Sequence, residues 1–122
     1  IVAVNALGDV VDPQTQQVIA GTRNPTGDGF LANSPFSNTT IAVVATNAKL
    51  VKAGVTKLAQ MAHDGLARVV MPAHLSLDGD TIFACATGGV EAPLDLVGAM
   101  AADVVAEAIV RGVRSGNPPG AP

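Results

Sequence analysis

The chain has 122 residues and a net charge of −3, and its seven basic residues are scattered without forming a cluster. It contains no Trp or Tyr that could stack on bases, so the composition argues against nucleic-acid binding. Hydrophobic residues make up 48% of the chain but only three residues are aromatic, which predicts one domain with a core of small aliphatic side chains.

A single cysteine, Cys85, excludes a disulfide within the chain and is typical of a reducing compartment. We therefore expect a cytoplasmic protein, and no apolar run is long enough to span a membrane. Cys85 lies among Ala and Phe in an apolar run, so we expect it to be an inert core residue. The sequence starts at Ile1 inside another apolar run, which is typical of a segment of a longer protein or of a processed subunit.

The first third of the chain predicts a strand pair followed by a long irregular segment. Residues 1–7 are apolar and predict a strand that ends near Asn5, and residues 17–21 predict a short returning strand after intervening turn signals. Residues 21–38 are rich in Gly, Pro, Asn and Ser and show no hydrophobic period. Because a loop of that length inside a compact domain is usually functional or disordered, we predict a linker there that can be cut.

Two strands and two helices are predicted after the linker. The apolar runs at residues 40–46 and 81–87 do not alternate with polar residues, which is typical of strands buried on both faces. Apolar residues spaced by three or four predict helices over about 50–69 and 93–114; the second stripe includes Val104. We expect Gly88 to end the second strand. This order of elements predicts an α/β (α+β) fold.

The junction between the linker and the first buried strand carries two hydroxyl residues, Thr39 and Thr40. A hydroxyl that attacks the carbonyl just before it forms an ester, and hydrolysis then frees its α-amine, whose ordinary pKa of about 7.7–8.0 suits a base near neutral pH. We therefore predict self-cleavage between Asn38 and Thr39, with Thr39 as the nucleophile. The simpler alternative is a structural Thr at the start of a strand, and Thr40 competes for the catalytic role on position.

Two carboxylates, Asp78 and Asp80, come directly before the second buried strand. Asp-Gly-Asp is more often a solvated turn, but a carboxylate pair here could orient or polarise a nucleophile, with one group neutral and the other charged. Asn5 is either a turn residue or an amide donor to an oxyanion. His63 and His74 are spaced wrongly for a pair on one helix, so we expect His63 on the helix surface, no metal site and no cofactor.

Three stretches of the sequence resemble one protein family. They are residues 38–48 (Asn-Thr-Thr-Ile-Ala-Val-Val-Ala-Thr-Asn-Ala), residues 65–68 (Gly-Leu-Ala-Arg) and residues 78–88 (Asp-Gly-Asp-Thr-Ile-Phe-Ala-Cys-Ala-Thr-Gly). They are similar to the small-subunit half of the self-cleaving aminopeptidases of the DmpA/BapA type. The Asn-Thr pair resembles most closely the branch that hydrolyses nylon-6 (6-aminohexanoate) oligomers, since the aminopeptidase branch typically has Ser at the cleavage point.

The resemblance implies an αββα sandwich like that of N-terminal-nucleophile hydrolases, with this chain as its C-terminal part. Residues 1–38 would end a large-subunit segment, and residues 39–122 would form a small subunit that begins with the nucleophile Thr39. Asp78 and Asp80 match the acidic pair of the nylon-oligomer hydrolases. Asn5 resembles the family's Asn that contacts the reacting carbonyl, although its spacing to the following Gly differs. A catalytic Lys and a Tyr of the family lie upstream of the matching region.

The same resemblance implies an enzyme that hydrolyses linear amides such as 6-aminohexanoate oligomers through a Thr acyl-enzyme. An exo-acting aminopeptidase for β-peptides or D-amino acids is the alternative within the family. A non-catalytic half-domain that packs its apolar helices against partner chains is the alternative outside it. The expected partners are the upstream large-subunit segment, further copies in a homotetramer and an amide substrate, with no nucleic acid and no membrane.

Overall fold

The computed structural model of the protein describes residues 1–21 and 38–116. The described residues form six strands and two helices: β1 (Val2–Ala3), β2 (Asp9–Val11), β3 (Val18–Ala20), β4 (Ile41–Ala48), α1 (Lys52–Val69), β5 (Val70–Met71), β6 (Thr81–Val90) and α2 (Leu94–Gly116). This mixed content agrees with the predicted α+β class, and both helices lie where apolar spacing predicts them. The predicted linker falls, except for its ends, outside the described residues.

The larger sheet brings the starts of β4 and β6 side by side. Its order is β1-β4-β6, with β1 antiparallel and β6 parallel to β4, and Ile41 lies opposite Thr81. Parallel neighbours need a crossover connection, and α1 forms most of it. Because both strands run in the same direction, the residues just before them, Thr40 and Asp80, meet at one edge of the sheet.

The smaller sheet corrects the predicted strand pair. Its order is β3-β2-β5, so the returning strand β3 pairs with β2, whereas β1 pairs with β4. β2 begins at Asp9, directly after Gly8. Gly8–Asp9 is a turn signal in the sequence, so this three-residue strand was not predicted. The second long strand is also longer than predicted: β6 continues through Gly88 to Val90, and Gly88 has a φ of 79°, which a residue without a Cβ adopts readily.

The core lies between the two helices and one face of the larger sheet. Leu58 and Leu66 of α1 and Ile109 of α2 are completely buried, and each contributes roughly 1.5–3 kcal/mol to stability through the burial of its side chain. The helices approach closely at Gly65, where a Cβ would collide with the carbonyl oxygen of Ala102. Small residues at this crossing therefore set the distance between the two helices.

The other face of the larger sheet is open in the described part of the protein. Ile41, Val43 and Phe83 are 47%, 44% and 58% exposed, whereas their neighbours Ala42 and Ile82 are buried. The prediction that these strands are buried on both faces is therefore wrong for the described residues, because side chains alternate between a covered and an uncovered face. Cys85 shares the open face and is exposed, which corrects its assignment to the core.

A second apolar surface runs along α2. Leu96, Met100 and Val104 are 57%, 58% and 62% exposed and are spaced by four residues, so they form one stripe on the outside of the helix. Val104 was predicted to be buried; the buried positions are its neighbours Val105 and Ala106, among others. Within residues 1–21 and 38–116, neither helix is long and apolar enough to cross a membrane.

Candidate active site

The Thr39 hydroxyl lies against the carbonyl group that it is predicted to attack. Its Oγ1 donates a hydrogen bond of 2.7 Å to the carbonyl oxygen of Asn38. The Asn38 side chain is itself fixed, because its Nδ2 donates a hydrogen bond of 3.1 Å to the carbonyl oxygen of Ala6. Both residues are partly buried. The peptide bond between Asn38 and Thr39 is thus held from both sides, with a hydroxyl beside its carbonyl.

Thr40 is placed differently from Thr39. Its side chain is completely buried, and its Oγ1 has no hydrogen-bond partner. The Thr40 backbone N–H donates a hydrogen bond of 2.7 Å to Oδ1 of Asp80, and its carbonyl oxygen accepts one of 3.0 Å from the N–H of Thr81. Asp80 therefore fixes the backbone at the start of β4, directly after Thr39. A buried hydroxyl is poorly accessible to a substrate, which favours Thr39 over Thr40 as the nucleophile.

The carboxylate of Asp78 is buried and unpartnered: neither of its oxygens has a hydrogen-bond partner. Burial, and then the negative charge of Asp80, raise the pKa of Asp78 above its ordinary value, while the nearby Leu75 backbone amide and the charge of His74 counteract this in part. Desolvation penalises the charged carboxylate, so Asp78 keeps its proton to higher pH than an ordinary aspartic acid does.

Gly79, between the two acidic residues, lies against Thr39, the predicted nucleophile. A Cβ built at this glycine would lie 2.5 Å from Oγ1 of Thr39 and 3.5 Å from its Cβ. The Asp78–Asp80 segment therefore packs its backbone directly against the Thr39 side chain. A catalytic role for Asp78 and Asp80 remains a prediction.

Asn5 lines the same cavity as Asn38, the residue before the predicted nucleophile. It is exposed and shares the wall of an open cavity of about 290 Å³ with Ala6, Gly8 and Asn38, among other residues. The structure thus places Asn5 in the same cavity wall as Asn38. A role for Asn5 as a donor to an oxyanion remains a prediction.

Two histidines belong to this region, although the sequence did not indicate it. The ring centroids of His63 and His74 are 5.0 Å apart and the rings are tilted by 57°. His63 is partly buried and its Nδ1 is buried without a hydrogen-bond partner, so the expectation that His63 lies on the helix surface holds only in part. Burial, followed by the charge of His74, lowers the pKa of His63, whereas the charges of Asp80 and Asp64 raise it.

The loop after β5 places His74 beside His63 of α1. His74 has a φ of 57°, in the left-handed region that costs a residue with a side chain roughly 1–2 kcal/mol. Because α1 ends at Val69, the two histidines do not share a helix, and helical spacing in the sequence does not predict their contact. The signal available in the sequence was their position on either side of Met71–Pro72, where the chain reverses. Within the part of the chain that the structure describes, no group of three or more His, Cys, Asp or Glu residues is arranged to hold a metal ion.

Comparison with known proteins shows which family the chain belongs to. The sequence matches peptidase family S58 over residues 1–119, and the chain belongs to this family. It is 39% identical over 151 aligned positions to an uncharacterized aminopeptidase of Mycobacterium tuberculosis, covering 97% of this chain and 44% of the relative. It is 49% identical over 105 positions to an uncharacterized aminopeptidase of Mycobacterium leprae, covering 75% of this chain and 29% of the relative.

A more distant relative has a more specific name. A 6-aminohexanoate-oligomer endohydrolase of Paenarthrobacter ureafaciens is 34% identical over 56 positions, which cover 46% of this chain and 16% of that enzyme. The chain spans less than half the length of each of these relatives. The expected membership in the family of self-cleaving aminopeptidases and nylon-oligomer hydrolases is therefore confirmed.

Proposed function

We propose that the protein is an N-terminal-nucleophile amide hydrolase that cleaves itself between Asn38 and Thr39 and then uses Thr39 as its nucleophile. The observation that carries the proposal is the 2.7 Å hydrogen bond from the Thr39 hydroxyl to the Asn38 carbonyl oxygen. A hydroxyl held beside a carbonyl group needs only a small rotation to attack its carbon, so the structure supports a reaction within the chain.

Self-cleavage begins when Oγ1 of Thr39 attacks the carbonyl carbon of Asn38. The C–O bond forms, the C–N bond breaks, and the proton of the hydroxyl ends on the released α-amine of Thr39. Water then hydrolyses the ester, which leaves a carboxylate on Asn38 and a free Thr39 amine. Asp80 keeps the start of β4 in place through the Thr40 N–H, while Asn5 and an upstream donor stabilise the oxyanion.

Turnover repeats the same chemistry on a substrate. The α-amine of Thr39 accepts the proton of its own hydroxyl as Oγ1 attacks the amide carbonyl, and the proton then passes to the departing amine. The acyl group stays on Oγ1 until water hydrolyses the ester. Asp78 and Asp80 orient the nucleophile, and the raised pKa of Asp78 allows it to hold a proton close to Thr39.

Linear amides of aminoalkanoic acids, such as 6-aminohexanoate oligomers, are our first candidate substrates. The Asn-Thr pair at the cleavage point and the name of the endohydrolase relative support them. An exo-acting aminopeptidase is the second candidate, because the relatives that match 97% and 75% of the chain are named aminopeptidases. An oligomer with a blocked amino terminus separates the two, since only an endo-acting enzyme cleaves it.

The uncovered surfaces support a larger assembly. Residues 1–38 would end a large-subunit segment, residues 39–122 would form the small subunit, and the upstream part would supply a second sheet that covers Ile41, Val43 and Phe83 in an αββα sandwich. The exposed stripe of Leu96, Met100 and Val104 on α2 is suited to contacts between copies in a homotetramer. A purely structural role would use the same surfaces without cleavage.

The test uses the full-length protein with Thr39→Ala and Thr39→Ser, and with Thr87→Ala as a control at an exposed threonine of β6. We expect two fragments for the wild type, Thr39→Ser and Thr87→Ala, with the smaller fragment beginning at residue 39 by mass spectrometry. Thr39→Ala should remain a single chain and should not hydrolyse any amide. Two fragments from Thr39→Ala would refute the proposal, and an uncut, inactive wild type would support the structural role.

A further inference from the structure

We propose that Thr81 is a positioning residue for the predicted nucleophile: its hydroxyl holds Gly79 against Thr39 and thereby keeps the Thr39 hydroxyl beside the carbonyl group of Asn38. The inference rests on the proposed function, because it gives Thr81 a part in the reaction of Thr39. The restraint on the Thr39 side chain is measurable whether or not the chain cleaves itself.

The hydroxyl of Thr81 is bonded to the backbone of the segment before it. Thr81 is the first residue of β6, and its Oγ1 donates a hydrogen bond of 2.9 Å to the carbonyl oxygen of Gly79. Glycine has more backbone freedom than any other residue, so a bond to its carbonyl oxygen restrains the segment at the point where it would otherwise move most easily. The Thr81 side chain therefore limits where the Gly79 backbone can lie.

Gly79 in turn limits the side chain of Thr39. A Cβ at Gly79 would lie 2.5 Å from Oγ1 of Thr39 and 3.4 Å from its Cγ2, so the glycine backbone borders both branches of this side chain. A β-branched residue has few χ1 rotamers, and a close neighbour selects among them. In the rotamer present, Oγ1 donates the 2.7 Å hydrogen bond to the carbonyl oxygen of Asn38. If Gly79 moved away, rotamers that turn Oγ1 from this carbonyl would become accessible.

The main chain of Thr81 fixes the other neighbour of Thr39. The Thr81 N–H donates a hydrogen bond of 3.0 Å to the carbonyl oxygen of Thr40, while Oδ1 of Asp80 accepts one of 2.7 Å from the Thr40 N–H. Thr81 thus bonds to Thr40 through its main chain and to Gly79 through its side chain. It holds the two segments that border Thr39 in a fixed position relative to each other.

The exposure of Thr81 separates a positioning role from a purely structural one. Thr81 is exposed, and so is its hydrogen bond to Gly79. Water can replace such a bond, so its loss should change the stability of the fold little. A reaction within the chain is more sensitive, because a displacement of about 1 Å is enough to slow it. Loss of the hydroxyl should therefore lower the cleavage rate while the unfolding temperature stays nearly constant.

The test compares Thr81→Val, which removes the hydroxyl but keeps the branched shape, with Thr81→Ser, which keeps the hydroxyl. Fragment formation by the full-length protein is followed on denaturing gels, and thermal unfolding is measured in parallel. Thr81→Val should slow cleavage by about threefold to tenfold, as expected for the loss of one hydrogen bond. Thr81→Ser should cleave at more than about half of the wild-type rate. An unchanged rate in Thr81→Val, or equal slowing in Thr81→Ser, would overturn the inference.

Thr56→Val is the matched control. Thr56 is also exposed, and its Oγ1 donates a hydrogen bond of 3.1 Å to the backbone carbonyl oxygen of Lys52. This bond lies near the start of α1, which follows the opposite end of β4 from Thr39. Thr56→Val should therefore cleave at the wild-type rate. Equal slowing in this control would show a general effect of losing a surface hydroxyl and would overturn the inference.

A double substitution tests whether Thr81 acts through Gly79. Gly79→Ala disturbs the contact with Thr39 by itself, since the new Cβ collides with Oγ1. Adding Thr81→Val to it should therefore slow cleavage further by less than about twofold, because residues that act through one contact are not additive. Full multiplication of the two effects would show that Thr81 acts by another route and would overturn the inference.

An uncut wild type would refute the proposed function, and the uncut chain then allows the restraint itself to be measured. Three-bond NMR couplings to Cγ2 of Thr39 report its χ1 rotamer. We expect one rotamer in the wild type and in Thr81→Ser, and averaging over several in Thr81→Val. One rotamer in all three proteins would overturn the positioning role. If the wild type cleaves and Thr81→Val cleaves equally fast, Thr39 remains the nucleophile and only the role of Thr81 is refuted.

Discussion

Replacing Gly79 with Ala should slow cleavage before Thr39 without unfolding the protein. The new Cβ would lie 2.5 Å from Oγ1 of Thr39 and 3.4 Å from its Cγ2. Because non-bonded atoms of this kind prefer separations of roughly 3.5 Å, the hydroxyl or the turn must move by about 0.5–1 Å. Rotation of the Thr39 side chain relieves the collision, but it also removes Oγ1 from its position 2.7 Å from the Asn38 carbonyl oxygen.

The expected effect on the rate is much larger than the effect on stability. A displacement of about 1 Å at a reacting group can cost about 100-fold in rate, which corresponds to about 2.7 kcal/mol in the activation free energy. Gly79 is exposed and is not among the described residues with positive φ. Alanine therefore suits its backbone conformation, and the free energy of unfolding should change by less than about 1 kcal/mol.

Gly89→Ala is the matched control for this substitution. Gly89 is also an exposed glycine, and a Cβ there would meet only the carbonyl oxygen of Asn47, at an ordinary distance of 3.6 Å. The fraction of cleaved chain is measured on denaturing gels at intervals after synthesis, and thermal unfolding is measured in parallel. The reasoning fails if Gly79→Ala is cleaved at the wild-type rate, or if Gly89→Ala slows cleavage by as much.

Three further substitutions test the site and the core. Thr40→Val replaces an unpartnered buried hydroxyl with a methyl group, so it should change the free energy of unfolding by less than about 1 kcal/mol. Fragment formation should stay intact. Loss of the fragments would favour Thr40 as the nucleophile. The raised pKa of Asp78 means that the folded state binds its proton more tightly than the unfolded state does. The free energy of unfolding should therefore fall as pH rises from about 4 through the folded-state pKa of Asp78. Asp78→Asn should remove this fall, which is measured by comparing the free energies of urea unfolding at pH 4 and pH 7. The same substitution should slow catalysis. Gly65→Ala should push α1 away from the Ala102 carbonyl and lower the free energy of unfolding by about 1–3 kcal/mol in the same assay.

The helices were predictable from the sequence, but the short strands were not. Eighteen residues of α1 repeat the apolar spacing of a helix several times, so the pattern survives two glycines. β1 and β5 have two residues each, and two residues cannot show an alternation. An uninterrupted apolar run such as Ile41–Ala45 indicates that its side chains are suited to burial. It does not indicate whether the same part of the protein also supplies the layer that buries both faces of the sheet.

The site was predictable where its residues precede strands, and hidden where they do not. Thr39 and Asp80 each come just before an apolar run, and the parallel pairing of β4 and β6 brings them together. The contact between His63 and His74 depends instead on where α1 ends and on the left-handed backbone at His74. Such a contact is set by tertiary structure and leaves no period in the sequence.

The position of the proposed site at the amino ends of two parallel strands has a chemical reason. In open sheets of parallel strands, ligands usually bind beyond the carboxyl ends of the strands. A nucleophile that is also the amino-terminal residue must instead precede its strand, because the chain before it is removed. Its partners must then precede the neighbouring strand, and the register that pairs Ile41 with Thr81 puts Asp80 at the Thr40 N–H. A register slip of one residue would leave that N–H without its carboxylate acceptor and would also turn the buried face of the slipped strand outward. The packing that holds β4 and β6 against the helices therefore also fixes the distance between Thr39 and its acidic pair.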